Sequence, residues 1–164
     1  MNDQVKNSSL PLLGLGYYWQ DLACGQIFRT SRRTLTEADL VNFVSVTGML
    51  EGFFIDITAS EGGIGGRPVP GALTYTIIEG FILQSMARGT GIALLSCSQE
   101  MLAPVRVNDT IYGVVEITGL RPTSRSNRGI VDSLITVFNH KDEEVLRYTA
   151  KRMFAGRPQS LVGL

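Results

Sequence analysis

The fold turns on the stretch Gly71-Ala72-Leu73-Thr74-Tyr75-Thr76-Ile77-Ile78-Glu79-Gly80-Phe81-Ile82-Leu83-Gln84-Ser85-Met86-Ala87-Arg88. Leu73, Tyr75, Ile77, Ile78, Phe81, Ile82, Leu83 and Met86 are apolar and fall on nearly every side of a helical period. A helix with no solvated face is covered by other elements, so the stretch predicts a buried central helix from Gly71 to about Arg88. Gly80 costs that helix about 1 kcal/mol against alanine. A glycine kept at that cost is expected to let another backbone come close.

Outward from the helix, four segments read as strands: 93–101, 110–121, 129–139 and 145–154. Leu146, Tyr148 and Ala150 alternate with Arg147, Thr149 and Lys151, and Val131, Ser133, Ile135 and Val137 repeat at period two. Between the last two segments, Asn139-His140-Lys141-Asp142-Glu143 reads as a hairpin connection. Upstream, a short strand is expected within 26–34. A first helix follows from Thr36 to about Thr47, with Thr36 as N-cap, Asp39 at the third position, Leu35 and Leu40 as a staple, and Gly48 as the stop. One early strand, a buried helix and four antiparallel strands form the order of the hot-dog fold, an α+β architecture. Open sheet edges favour pairing with a second copy, so a homodimer or higher homo-oligomer is expected.

The bulk numbers agree with a single domain. The 164 residues are 44% hydrophobic and 18% charged, with 15 basic against 15 acidic side chains. A zero net charge speaks against nucleic-acid binding, which draws on a basic excess. No run approaches the roughly 18 apolar residues that a membrane span needs. The apolar stretch 10–19 faintly imitates a signal segment, but it is short, carries bulky Tyr17, Tyr18 and Trp19, and is followed by Asp21. A cytoplasmic chain is expected, with Cys24 and Cys97 as reduced thiols. The expected organisation is a leader at 1–16, the domain at 17–156 and a tail at 157–164.

Few residues offer chemistry. His140 is the one histidine and sits at the hairpin tip, which speaks against a Ser-His-Asp or Cys-His system and against a histidine-based metal site. The glycine-rich run 62–71 lacks the P-loop and dinucleotide patterns. Free N–H groups where the helix starts at Gly71 would still favour negative charge, such as a thioester oxygen in its enolate form. Glu51 lies in the apolar stretch Met49-Leu50-Glu51-Gly52-Phe53-Phe54-Ile55-Asp56. If buried, it is a candidate general acid or base; otherwise it is an exposed loop glutamate. Glu79 reads as facing an interface or a hydrogen-bond partner. Arg121, Arg125 and Arg128 crowd one connection and read either as a solvated turn or as a grip on phosphates.

With these segments placed, the chain resembles the MaoC-like dehydratases, which include the (R)-specific enoyl-CoA hydratases. The matching stretches are 17–28, 36–43 and Gly65-Gly66-Arg67-Pro68-Val69-Pro70-Gly71, then Pro104-Val105, 108–111, 122–124 and 128–131. They span 17–156. The resemblance implies a hot-dog dimer acting on acyl thioesters of coenzyme A or acyl carrier protein, with no cofactor beyond the coenzyme A of the substrate. The family's active segment, Gly-Asp-x-Asn-Pro-x-His-x-Asp, reads here Gly48-Met49-Leu50-Glu51-Gly52-Phe53-Phe54-Ile55-Asp56. Met49 and Phe54 therefore occupy the catalytic aspartate and histidine positions, and Pro70 replaces a histidine before Gly71, whose N–H still suits a thioester oxygen. Three readings follow. Hydratase or dehydratase chemistry is rebuilt on Glu51, helped by Asp56 or Tyr75; or the chain binds acyl thioesters as a non-catalytic or partner subunit; or it is a thioesterase. Met49, Phe54, Pro70 and Tyr75 are the expected acyl-group contacts, and Arg121, Arg125 and Arg128 the expected contacts to the phosphates of coenzyme A.

Overall fold

Leu35 and Leu40 are fully buried on either side of a reciprocal cap, and this pair sets the entry to the first helix. The Asp39 N–H donates to Thr36 Oγ1 at 3.3 Å, while the Thr36 N–H and hydroxyl both donate to Asp39 Oδ2 at 2.8 Å. Helix α1 spans Glu37–Thr47 and stops at Gly48, whose φ of 73° is the left-handed cap that glycine adopts without strain. The computed structural model describes residues 13–59, 67–124 and 127–158.

The strands are β1 (Ile27–Arg29), β2 (Arg33–Thr34), β3 (Gly91–Met101), β4 (Thr110–Pro122), β5 (Arg128–Phe138) and β6 (Glu144–Ala155); helices α2 (Gly52–Ile55) and α3 (Gly71–Gln84) follow α1. The sheet runs β1-β4-β5-β6-β3 with β2 also on β4, and every pairing is antiparallel. The early strand expected over 26–34 is split. Thr30 Oγ1 accepts the Gly113 N–H at 2.8 Å there, in place of a backbone carbonyl.

Ile111, Val115, Ile117, Ile135, Val137, Tyr148 and Phe154 point inward at period two and meet Leu73, Ile78 and Ile82 of α3. The closest approach is made by Gly113 on β4 rather than Gly80 in the helix. A Cβ at Gly113 would lie 3.0 Å from Ile78 Cγ2, whereas one at Gly80 meets nothing within 4 Å. Helix α3 also ends earlier than Arg88. The Ser85 hydroxyl donates to the Phe81 carbonyl at 2.6 Å and the Ala87 N–H turns back to Ile82 O, which closes the helix at Gln84.

Within one chain α3 is not covered all round: Thr76, Leu83 and Gln84 are exposed. Leu83 is 58% exposed, and Leu94 and Leu95 on the edge strand β3 are each 47% exposed. The sheet wraps the central helix as expected and leaves Leu83 open at its end. At the opposite end the aromatic lead-in packs down. The Tyr17 ring lies 5.4 Å from Phe28, and Trp19 sits on Gly129. No helix among the described residues is long and apolar enough to cross a membrane.

Candidate functional site

The start of α3 is held by backbone pairing. The Val69 N–H donates to Val105 O at 2.8 Å, and Pro68 bridges Arg106. Pro70 occupies the N-cap and has no side chain to cap with, while its carbonyl accepts the Leu73 and Thr74 N–H groups. The N–H groups of Gly71 and Ala72 are left without acceptors among the described residues, as the first turn of a helix requires.

Gly71 lines a cleft of about 370 Å³. Its walls are Phe53 and Phe54 of α2, the Pro68–Gly71 approach, Thr74, residues 101–105, and Val145 with Leu146. Phe53 and Phe54 pack edge to face at 4.4 Å. Arg67 fixes their wall by donating from Nε to the Phe54 carbonyl at 2.8 Å while pairing with Glu37 of α1. A Cβ on Gly71 would lie 2.6 Å from Met101 Sδ, so a larger residue there would push the flexible end of the methionine aside.

Of the candidate residues, Phe54, Pro70 and Gly71 line this one cleft. Met49 is exposed and lies outside the wall. Glu51 is also exposed; it is the N-cap of α2 without a side-chain cap bond and does not line the cleft. Asp56 is fully exposed, and its Oδ1 accepts the Thr58 hydroxyl at 2.7 Å and the Thr58 N–H at 2.8 Å. These bonds hold its carboxyl below the usual range, so it stays ionised and engaged.

Tyr75 points elsewhere. Its ring meets Tyr148 edge to face at 5.1 Å. Burial and the charge of Glu79, with a further hydrogen bond to Cys97, push its hydroxyl well above the ordinary tyrosine range. Glu79 accepts the Tyr148 hydroxyl at 2.7 Å and pairs with Arg152, whose Nη1 donates to Ser133 Oγ at 2.9 Å. The expectation that Glu79 has a hydrogen-bond partner holds, and the partner chain of polar groups lies between α3 and the sheet.

The arginines are not brought to the cleft. Arg128 pairs with Ala155 at one end of β6, whereas the cleft uses Val145 and Leu146 at the other. Ten strand residues separate the two, roughly 30 Å. Arg121 pairs with Ile130 at the same remote end, and Arg125 lies outside the described residues. His140 faces Asp109, with Nδ1 3.6 Å from Oδ1, and does not line the cleft. Cys24 and Cys97 are free thiols, and the described residues hold no group of three His, Cys, Asp or Glu fit for a metal.

Sequence reasoning missed Thr74, Met101, Val145 and Leu146 as cleft residues. Thr74 follows Gly71 by three positions, so a helix beginning at Gly71 puts the two on one face; that spacing was the available signal. Val145 and Leu146 reach the cleft only through long-range pairing of β6.

Over 112 residues, 68% of its length, the chain is 31% identical to Protein MaoC of Klebsiella aerogenes, and it spans 33% of that relative's length. No family model matches the chain. The MaoC-like dehydratase from Rhodospirillum rubrum superposes with a TM-score of 0.79 at 24% identity, covering 88% of this chain and 100% of that one. The R-hydratase PhaJ1 from Pseudomonas aeruginosa gives a TM-score of 0.73 at 23% identity over 85% of this chain and 86% of its own. A conserved hypothetical protein from Mycobacterium tuberculosis with a double hot-dog fold gives 0.76 at 24% identity, over 90% of this chain and 47% of that one. The fold is the hot-dog fold.

Proposed function

We propose, from its place among the MaoC-like dehydratases, that this chain binds an acyl thioester in the cleft headed by Gly71 and supplies no proton-transfer group of its own. The observation that carries the reading is the cleft wall. Among the described residues it contains no carboxylate, imidazole or thiol. Hydration of an enoyl thioester needs a group to activate water and one to protonate carbon, each within hydrogen-bond reach. A free N–H at Gly71 suits the thioester oxygen, and apolar walls suit the acyl chain.

The carrier is coenzyme A or an acyl carrier protein. A second copy or a related subunit covers β3 and the open side of α3, where Leu83, Leu94 and Leu95 are exposed. Such a partner is also the source of any catalytic groups, which makes the chain a binding or partner subunit.

The test pairs a turnover assay with a binding assay on the purified protein. Loss of enoyl-thioester absorbance is followed with short, medium and long trans-2-enoyl-CoAs, and the melting temperature is read with and without each ester. The expected result is no turnover with a ligand-dependent rise in Tm, about 2.7 kcal/mol of stabilisation at a hundredfold excess over Kd. Turnover that Glu51→Gln abolishes would replace this reading with a hydratase built on Glu51. Hydrolysis of saturated acyl-CoAs would replace it with a thioesterase.

A further inference from the structure

A second cavity, of about 430 Å³, lies at the other end of α3 from the cleft. The lead-in chain closes one side of it. The Gly16 N–H donates to Arg88 O at 2.7 Å and the Tyr17 N–H to Met86 O at 2.9 Å, so residues 14–17 run across the turn that ends α3. Only glycine permits that approach, because a Cβ on Gly16 would lie 2.4 Å from Met86 O. The remaining lining is largely apolar. Ile82, Met86 and Val115 are buried, and Tyr17 and Phe28 add two rings 5.4 Å apart. The volume is that of an ordinary small-molecule site.

The charges of this lining have one sign. Arg29 and Arg88 belong to it, and no Asp or Glu does among the described residues. The Arg88 guanidinium reaches the wall, with Nη1 3.4 Å from the position of a Cβ on Gly14. It has no hydrogen-bond or ion-pair partner among the described residues. The carbonyls beside it are already used: Met86 O and Arg88 O by the lead-in, and Ala87 O by the Thr90 and Gly91 N–H groups.

We infer that this cavity is a second binding site, for an amphipathic anion. The apolar chain of the ligand lies against Ile82, Met86 and Val115, and the Arg88 guanidinium donates to its terminal carboxylate. A guanidinium matches a carboxylate through two parallel N–H···O bonds, and the apolar lining takes the chain out of water. Arg88 is exposed, which leaves the charged head at the solvent edge while the chain is covered. The site is distinct from the cleft. Their linings share no residue, and Gly71 and Gln84, at the two ends of α3, are about 20 Å apart. The inference does not depend on the acyl-thioester reading.

The experiment is a titration of the protein, carrying carbon-13 methyl-labelled methionine, with decanoate below its micelle concentration. Met86 lines this cavity and Met101 the cleft, so their methyl signals report the two places separately. Decanoate is expected to shift the Met86 signal. Decanol, which has the chain without the charge, binds roughly tenfold more weakly for want of one charge-assisted hydrogen bond. Arg88→Gln lowers decanoate affinity to that of decanol and leaves the melting temperature of the unliganded protein unchanged. No shift at Met86, or a shift at Met101 alone, overturns the inference. Equal affinities for decanoate and decanol also overturn it, as does a Met86 response that Arg88→Gln leaves undiminished. None of these outcomes touches acyl-thioester binding, which butyryl-CoA reports at Met101.

Discussion

Arg67 and Phe54 are joined across the mouth of the cleft, the guanidinium Nε donating to the phenylalanine's backbone carbonyl at 2.8 Å. The same arginine is paired with Glu37 in the first turn of α1. Helix α2 is only four residues long and cannot hold itself, so this clamp sets the position of the phenyl wall. Arg67→Ala is expected to speed amide exchange across residues 52–56 and to weaken acyl-CoA binding, at a cost of about 1–2 kcal/mol in global stability. Glu37→Gln, which leaves the Phe54 bond in place, should change exchange far less. Identical exchange in wild type and Arg67→Ala would show that the wall stands without the clamp.

Glu79 and Arg152 form the most deeply placed ion pair, with side chains 13% and 5% exposed. Removing one partner strands the other charge beside Tyr148 and Ser133. Arg152→Ala should therefore lower stability by about 3–5 kcal/mol in a denaturant titration, with a lower midpoint. Replacing both, as Glu79→Gln with Arg152→Met, should cost clearly less than the sum of the single changes. Additive losses would mean that the two charges do not interact.

Much of this architecture was legible in the chain because local rules and tertiary packing agree. Thr36, Asp39 and Gly48 mark both ends of α1 through side chains that act within a turn. The alternation from Val145 to Phe154 announces β6 because one of its faces is buried. The apolar run 71–84 announced α3, but not that Leu83 would remain exposed. Periodicity reports the burial a side chain seeks and is silent on whether the same chain provides it. Of the residues that the motif register singled out, Phe54, Pro70 and Gly71 line the cleft and Met49 does not. Glu51 read either as a buried acid or base or as an exposed loop glutamate, and it is exposed at the start of α2. Arg121 and Arg128 read either as a solvated turn or as a grip on the phosphates of coenzyme A, and nothing local reveals that the length of β6 lies between them and the cleft.

Asp39 gives a pH dependence of known sign. Desolvation raises its pKa, but the Thr36 N–H and hydroxyl and the nearby Arg33 outweigh that, so the carboxyl titrates below the usual aspartate range in the folded protein. A depressed folded value means stability that is complete above the unfolded pKa of about 3.9 and is lost as pH falls through the folded one. Asp39→Asn should thus be less stable than wild type by about 1 kcal/mol at neutral pH, with the gap closing in acid. A gap of the same size at every pH would put the loss on cap geometry rather than charge.

Gly129 offers the sharpest packing test. A Cβ there would lie 2.3 Å from Trp19 Cγ and 2.5 Å from Cδ2, closer than real side-chain contacts come. The obstacle is a ring, not the loose end of a flexible chain, and the 3₁₀ turn Trp19–Asp21 that carries it is tied down by Arg157, which pairs with Asp21. Gly129→Ala must therefore lift the indole off β5, and the lead-in segment with it. The expected cost is about 1–3 kcal/mol, accompanied by a red shift of tryptophan emission as the ring meets water. Because Gly129 stands at the β5 end opposite the cleft, acyl-CoA affinity in the folded variant should stay at its wild-type value. A variant with unshifted emission and unchanged melting temperature would mean that Trp19 does not rest on this strand, and the N-terminal segment would then be an appendage rather than part of the core.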